Sequence, residues 1–258
     1  MSRLLLTRRG LVGRLAGGAA LGGGSLLLSG CDKLFDNRTF RASLESAQDL
    51  HEATQRLFGR DALAQEFTAS QMSPNFRANG SREVADPAYQ AQLARGFAQW
   101  HLAVGGLVEQ PLSISLEALK TLPQRTQITR HDCVEGWSAI GQWTGPQLGA
   151  VLTMAKLQPQ ARYIVFHCAD LYHGRPYYES IDLADAFHPQ TILAWAMNGR
   201  PLEQAHGAPL RLRVERQLGY KHAKFVTRIE AVASLAGIYG GRGGYWEDNG
   251  AYAWYAGI

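Results

Sequence analysis

The sequence predicts an α+β domain: a mixed, mainly antiparallel sheet with short helices. Three observations carry this reading. Trp100, Leu102 and Val104 alternate with polar or small residues, pause at Gly105-Gly106, and resume at Leu112 and Ile114, which is the period of two of an antiparallel strand pair. Arg162 to Cys168 is a near-continuous apolar run, as in a strand buried on both faces. Leu148, Val151, Leu152 and Ala155 fall at i, i+3, i+4 and i+7, the stripe of a helix packed on one side.

The elements follow in order. Residues 1–31 read as a targeting segment. Thr7-Arg8-Arg9-Gly10-Leu11-Val12 has the twin-arginine form of an export signal, and Leu28-Ser29-Gly30-Cys31 looks like a lipobox in which Cys31 would be lipidated. A retained membrane anchor is the alternative, but the glycines and Arg14 make a poor spanning helix. Without residues 1–30, which hold Arg3, Arg8, Arg9 and Arg14 and no acid, 22 basic residues face 22 acidic ones. The pI near 9.0 therefore belongs to the export segment, and nothing argues for a nucleic-acid partner.

Residues 32–72 read as a polar tether and a helix. Leu44, Ala47, Leu50, Leu57 and Phe58 are expected to pack on the main body, and Gly59 to stop the helix. Ser73 to Gly80 reads as turns that hold Arg77 at the surface of a cleft. Ser115 to Lys120 reads as a short capped helix. Thr126 to Thr129 is a strand expected to deliver Arg130 to Cys133 into a loop at its end, and Thr144-Gly145-Pro146 is expected to open the helix of the Leu148 stripe. Asn198-Gly199 marks a tight turn between apolar strands, and Lys224 to Val232 alternates as a final strand. The tail, residues 236–258, is rich in glycine, Trp and Tyr and is expected to wrap the body.

Cys133 is the chemical focus. Only three cysteines occur, and this one sits among Arg130, His131, Asp132 and Glu135, where cationic and donor groups can favour a thiolate. On residue chemistry alone it is a metal ligand, a thiol nucleophile, or the partner of Cys168 in a disulfide.

Arg130-His-Asp-Cys-Val-Glu-Gly-Trp-Ser138 followed by Trp143-Thr-Gly145 resembles the molybdenum-ligand segment of the sulfite oxidase family of molybdopterin enzymes. His206-Gly-Ala-Pro-Leu-Arg211 and Gly219-Tyr-Lys-His-Ala-Lys224 resemble that family's pterin-binding run. The resemblance covers about residues 73–235. It implies a sulfite-oxidase-type domain binding one mononuclear molybdenum on molybdopterin, with Cys133 as the protein's sulfur ligand.

His206, Arg211, His222, Ala223 and Lys224 would cradle the pterin and its phosphate, in keeping with the fork of Arg and the point charge of Lys. Phe76-Arg77-Ala78-Asn79 resembles loosely a family stretch that binds the phosphate and reaches the metal pocket. The Asn is shifted by one place and a His is missing, so a plain surface turn is the rival reading for Asn79. Asp170 and Cys168 match pterin-contact positions, although a small core-facing thiol also explains Cys168. Tyr177, with Tyr178 as its alternative, matches an active-site tyrosine able to donate a proton.

The expected activity is oxygen-atom transfer on a small sulfur compound, leaning to sulfite oxidation. Arg77, Arg211 and Arg130 could converge on the metal and favour an anion, and Tyr177 and His206 match the sulfite-oxidising branch. A methionine sulfoxide or other S- or N-oxide reductase is the alternative, and a lipid-anchored cofactor-binding protein without turnover is a third. With no Cys-x-x-Cys-His motif, haem is expected on a separate electron-transfer partner. The immunoglobulin-like dimerisation domain of animal and plant members is not expected after residue 258.

Overall fold

The computed structural model describes residues 37–258, so the export signal, the lipobox and Cys31 lie outside the described residues. The described residues divide between two units at residues 51 and 52. Helix α1 (Arg38–Phe58) is capped by Asn37, whose Oδ1 accepts from the amides of Thr39 at 2.9 Å and Phe40 at 3.2 Å. It stops where expected, with the Gly59 amide donating to Gln55 O at 2.9 Å. The expected apolar packing is corrected at its C-terminal end, because Leu57 and Phe58 are 74% and 84% exposed. Charge fixes this end instead: the Arg56 guanidinium lies 2.9 Å from Asp182 and 2.7 Å from Asp185. The Asp185 carboxylate is buried and requires a cation.

Helix α2 (Pro87–Ala94) opens on Asp86, which accepts from the Tyr89 amide at 2.8 Å. Strand β1 (His101–Gly106) pairs antiparallel with β2 (Leu112–Ser115), and Ser115 caps α3 (Leu116–Thr121) by accepting from Ala118 N at 3.1 Å. Strands β3 (Gln124–Cys133) and β4 (Trp137–Pro146) form a hairpin in continuous register, from Gln124 opposite Pro146 to Cys133 opposite Trp137. Two expectations change here. Arg130 to Cys133 lie within β3 rather than in a loop beyond it, and Pro146 ends β4 instead of opening a helix, a strand position where its missing amide is tolerated. Helix α4 (Leu148–Ala155) starts one residue later and buries its whole predicted stripe.

Strand β5 (Tyr163–Tyr172) runs four residues past Cys168, and β6 (Arg175–Asp182) returns along it. Helix α5 (Leu183–Ala186) leads to β7 (Ile192–Ala194), β8 (Ala196–Met197) and β9 (Arg200–Pro201). Asn198 and Gly199 join the last two with φ of 50° and 75°, the left-handed pair that a two-residue hairpin needs. Strands β10 (Arg211–Arg213) and β11 (Val226–Val232) and helix α6 (Tyr245–Asn249) complete the chain.

Among the described residues the strands form sheets ordered β2-β1-β11-β5-β6, β3-β4-β8-β9 and β10-β7. Only the β1–β11 pairing is parallel. Leu102, Leu148, Leu152, Ile164, Phe166 and Phe225 belong to the core beneath them. Gly145 lets β4 lie against β7, since a Cβ there would fall 2.0 Å from Leu193 O. The tail wraps the body as expected: Leu218 N donates to Ala256 O at 2.9 Å, Ile258 N to Arg216 O at 3.0 Å, and Trp254 Nε1 to Ser180 Oγ at 2.8 Å. No helix among the described residues is long and apolar enough to cross a membrane.

Candidate active site

A cavity of about 220 Å³ opens where the ends of several elements meet. Asn79, Gly80 and Ser81 enter it from the segment before α2, Cys133, Val134 and Glu135 from the β3–β4 turn, Asp170 and Tyr172 from β5, and Tyr177 from β6. Tyr220, His222 and Lys224 come from the segment before β11, and Trp246 and Tyr252 from the tail.

Strand parity decides what surrounds Cys133. His131 and Cys133 share one face of β3, and Arg130 and Asp132 share the other. Arg130 Nε binds Asp132 at 3.0 Å and faces a separate cavity, so neither residue surrounds the thiol as the sequence suggests. The β3–β4 turn is closed by Gly136 N donating to Cys133 O at 3.0 Å, with Gly136 at a φ of 84°. Burial pushes the Cys133 thiol up; the Glu135 backbone hydrogen bond to it and the charge of Arg77 oppose this, and the Glu135 carboxylate adds a smaller rise. That is the reverse of an activated nucleophile, whereas a bound metal deprotonates a coordinating thiol by its own charge. Cys133 and Cys168 are both free thiols, so no disulfide joins them.

Arg77 is exposed and lines neither this cavity nor the second one described below; it lies 3.9 Å from Glu135, with its guanidinium 5.8 Å from the centre of the Trp137 ring. Arg211 is fully buried; it lies over Trp143 and donates to His206 O at 3.0 Å. The three arginines expected to converge therefore do not meet. Phe76 packs between Trp143, Trp137, His131 and His206. With His206 it lines a second cavity of about 350 Å³ beside Met197 and Arg200. Cys168 and Ala223 line neither cavity; Ala223 is buried and its carbonyl accepts from Leu212 N at 2.8 Å.

Lys224 is buried, donating to Asn79 O at 2.6 Å, to Ala205 O at 3.0 Å and to Ser81 O. Gly207, at a φ of 100°, permits this approach, because a Cβ would sit 2.9 Å from Lys224 Cβ. Burial and then Arg211 push Lys224 down to about 7, and burial and then Arg213 push Arg211 down to about 9. Two buried cations, each depressed by burial and by a neighbouring guanidinium, suit an anion. Around them Arg211 Nε and Nη2, His206 Nδ1, His222 Nδ1, Asn79 Oδ1 and Asp170 Oδ1 are buried with no hydrogen-bond partner in the protein. Such groups are costly unless a polar ligand satisfies them. This donor set fits a phosphate-bearing heterocycle, with Arg211, Lys224 and His206 for the phosphate and Asp170 and His222 for ring heteroatoms.

Tyr177 and Tyr178 separate cleanly. Tyr177 faces the cavity and donates to Tyr220 O at 3.0 Å, whereas Tyr178 is buried on the other face against Asp248 and Tyr239. Burial, then the charge of Glu179, holds the Tyr177 phenol well above its usual range.

Several residues were missed by sequence reasoning. Arg213, fully buried, forks onto Glu215 and donates from Nη1 to His131 Nδ1 at 3.0 Å. An arginine can only donate, so His131 carries its proton on Nε2. The alternation Arg211-Leu212-Arg213-Val214-Glu215 was the available signal. Ser81, Tyr172, Tyr220, Trp246 and Tyr252 form the rest of the wall, and only the aromatic density of the tail hinted at them.

This fold and donor set define a molybdopterin-dependent oxidoreductase domain, and the family model for the oxidoreductase molybdopterin binding domain matches residues 89–236. The chain belongs to this family, the sulfite oxidase family, and is a molybdenum cofactor-dependent oxidoreductase. It is 36% identical over 239 residues, 91% of this chain and 83% of the relative, to a protein of Azospira oryzae provisionally named protein-methionine-sulfoxide reductase subunit YedZ1. It is 37% identical over 164 residues to the protein-methionine-sulfoxide reductase catalytic subunit MsrP of Xanthomonas axonopodis, covering 59% of this chain and 51% of that one. The chain thus spans about half the length of MsrP. The crystal structure of the sulfane dehydrogenase SoxCD from Paracoccus pantotrophus aligns with a TM-score of 0.48 at 23% identity, over 53% of this chain and 39% of that one.

Proposed function

We propose that the chain reduces neutral sulfoxides, with methionine sulfoxide as the leading substrate class, rather than oxidising sulfite. The observation that carries this reading is the separation of the three guanidinium groups. Arg130 turns to Asp132, Arg211 lies over Trp143, and Arg77, exposed outside the cavity lining, is offset by Glu135. An anion would lose its hydration for little return there, while Tyr172, Tyr220, Trp246 and Tyr252 offer the hydrocarbon part of a neutral sulfoxide a wall of rings. The similarity to proteins named methionine-sulfoxide reductases points the same way. His206, which matched the other branch, lines the second cavity with Phe76 and is not part of the wall of the first.

In this reading Cys133 supplies the thiolate ligand, and Arg211, Lys224, His206, His222, Asp170 and Asn79 hold the pterin and its phosphate, with Phe76 packed beside them. When bound, the molybdenum centre supplies two-electron oxygen-atom transfer. Tyr177, a neutral phenol facing the cavity, hydrogen-bonds the sulfoxide oxygen and steers protons to it. Each turnover consumes two electrons and two protons and releases a thioether and water. The electrons come from a separate haem-containing partner.

Purified, metal-replete protein is expected to reduce methionine sulfoxide with a dye donor, and to oxidise sulfite at least about a hundredfold more slowly with a dye acceptor. Arg77→Gln is expected to change the KM for methionine sulfoxide by less than about threefold. Sulfite turnover that collapses in Arg77→Gln reverses the assignment, and a loaded protein inert to both substrates favours a cofactor-binding role without turnover.

We also propose, from Arg8-Arg9 and the Leu28–Cys31 box, that the chain is exported folded and held by lipid on the periplasmic face of the inner membrane. Cys31→Ala should shift the protein from the membrane to the soluble exported fraction on cell fractionation. Cytoplasmic retention of the unaltered chain by cells with working export machinery would sink this proposal.

A further inference from the structure

Behind Tyr177, outside the cavity wall, lies a charged cluster with no assigned role. Lys221 Nζ sits 2.8 Å from Glu179 Oε2 and 2.6 Å from Glu247 Oε1, and all three side chains are 0–1% exposed. Glu179 Oε1 and Glu247 Oε2 have no hydrogen-bond partner. A Cβ built on Gly244 would lie 2.1 Å from Glu247 Oε2 and 2.6 Å from Glu179 Oε2, so the two carboxyl groups converge on the space that this glycine leaves open.

One ammonium cannot neutralise two carboxylates, and an uncompensated buried charge is among the costliest features a fold can carry. Two carboxyl groups sharing a dry site resolve this by holding a proton between them. Among the described residues, the elements packed around the cluster supply no second cation. Strand β6 contributes Tyr177 and Glu179, the segment before β11 Tyr220 and Lys221, α6 Glu247, the tail the ring of Trp254 at 5.5 Å from Lys221 Nζ, and β5 the thiol of Cys168, which burial keeps protonated.

We propose that the Glu179–Lys221–Glu247 cluster stores one proton at neutral pH and, by its charge, sets the alkaline limit of turnover through Tyr177. The coupling is geometric: Glu179 and Tyr177 are two apart on β6 and share a face, and Tyr177 stacks at 5.4 Å on Tyr245, two residues from Glu247. Loss of the proton leaves a net negative charge behind the phenol, weakening it as an acid, and drives apart the carboxyl groups that pin α6. Burial and the mutual repulsion of the pair raise the Glu179 carboxyl well above its usual range, with Lys221 opposing. Glu179, Lys221 and Glu247 act as positioning residues, and the inference rests on the role proposed above for Tyr177.

The test uses the cofactor-loaded chain and the variants Glu247→Gln and Glu179→Gln, each leaving a one-to-one pair with Lys221. A carboxyl pKa raised by folding contributes stability that is present at low pH and is lost as pH rises through the folded value. Wild-type Tm should therefore fall relative to both variants as pH rises above 4.5, the ordinary value of the Glu179 carboxyl. Wild-type kcat for methionine sulfoxide should drop about tenfold on the alkaline side with KM unmoved, and the variants should drop less than about twofold. Parallel Tm curves overturn the stored proton, and a common alkaline limb overturns the coupling. Full activity of Tyr177→Phe instead removes the role of Tyr177 on which the coupling rests, leaving the Tm arm to judge the proton alone. Should neither variant fold, infrared spectra of the wild-type chain decide. A carboxylic acid band at neutral pH that survives Asp170→Asn supports the proton, and its absence overturns it.

Discussion

Replacing Cys133 with serine is expected to cut turnover to below about 1% of wild type while the chain stays folded. The side chain ends β3 at the cavity, and the substitution preserves its size and the β-turn that the Gly136 amide closes on the Cys133 carbonyl. What changes is the donor: an oxygen is harder than sulfur and shifts the redox poise of a metal that sulfur suits. Kinetics with a dye donor, beside a thermal melt, give the result. Wild-type activity in Cys133→Ser would end the ligand assignment, and an equal loss in Cys168→Ser would show that the two thiols act together.

Lys224→Met is expected to lower molybdenum content to below about one tenth of wild type, measured by metal analysis of the purified chain. Its ammonium is drawn in by three backbone carbonyls and set near Arg211, a costly arrangement that a phosphate relieves. The same cost gives a pH signature. Folding depresses Lys224 from 10.5 to about 7, so between those values the unfolded chain binds more protons and the cofactor-free fold gains stability as pH rises. That stability is lost as pH falls through about 7. Denaturant midpoints across this range should rise with pH for the cofactor-free wild type relative to Lys224→Met. An anion bound at Lys224 should flatten the difference, and cofactor loading unaffected by Lys224→Met would remove the residue from the cradle.

Much of the fold was legible because its signals are local. Period-two runs gave β1 and β2, a continuous apolar run gave β5, the Leu148 stripe gave α4, and Asn198-Gly199 gave its hairpin. The misreadings came where tertiary context overrode a local cue. Pro146 looked like a helix opener but closes a strand end, and Leu57 and Phe58 looked like a packing stripe although an ion pair at Arg56 holds that end. The ordered motifs were sufficient to name Cys133, Asp170, Tyr177, His222 and Lys224 as candidates, and these share one cavity. They could not reveal that Arg130 faces away or that Phe76 and His206 line a second cavity, because strand parity and ring packing emerge only from the assembled sheet. The partners Arg213–His131 and Lys221–Glu179–Glu247 stayed hidden because buried charge looks like surface charge in a sequence.

The parallel pairing of β1 with β11 has a kinetic meaning. Ala103 finds its partner Arg228 only when nearly all of the chain is available, so the central sheet cannot close progressively as the chain emerges. Until Val226–Val232 slots between β1 and β5, Lys224, two residues before that strand, has no fixed position relative to Asn79 and Ser81. The placement of Lys224 therefore depends on segments far apart in the chain. A chain halted before β11 carries Cys133, Arg211 and Lys224 but lacks the strand that sets Lys224 against Asn79 and Ser81.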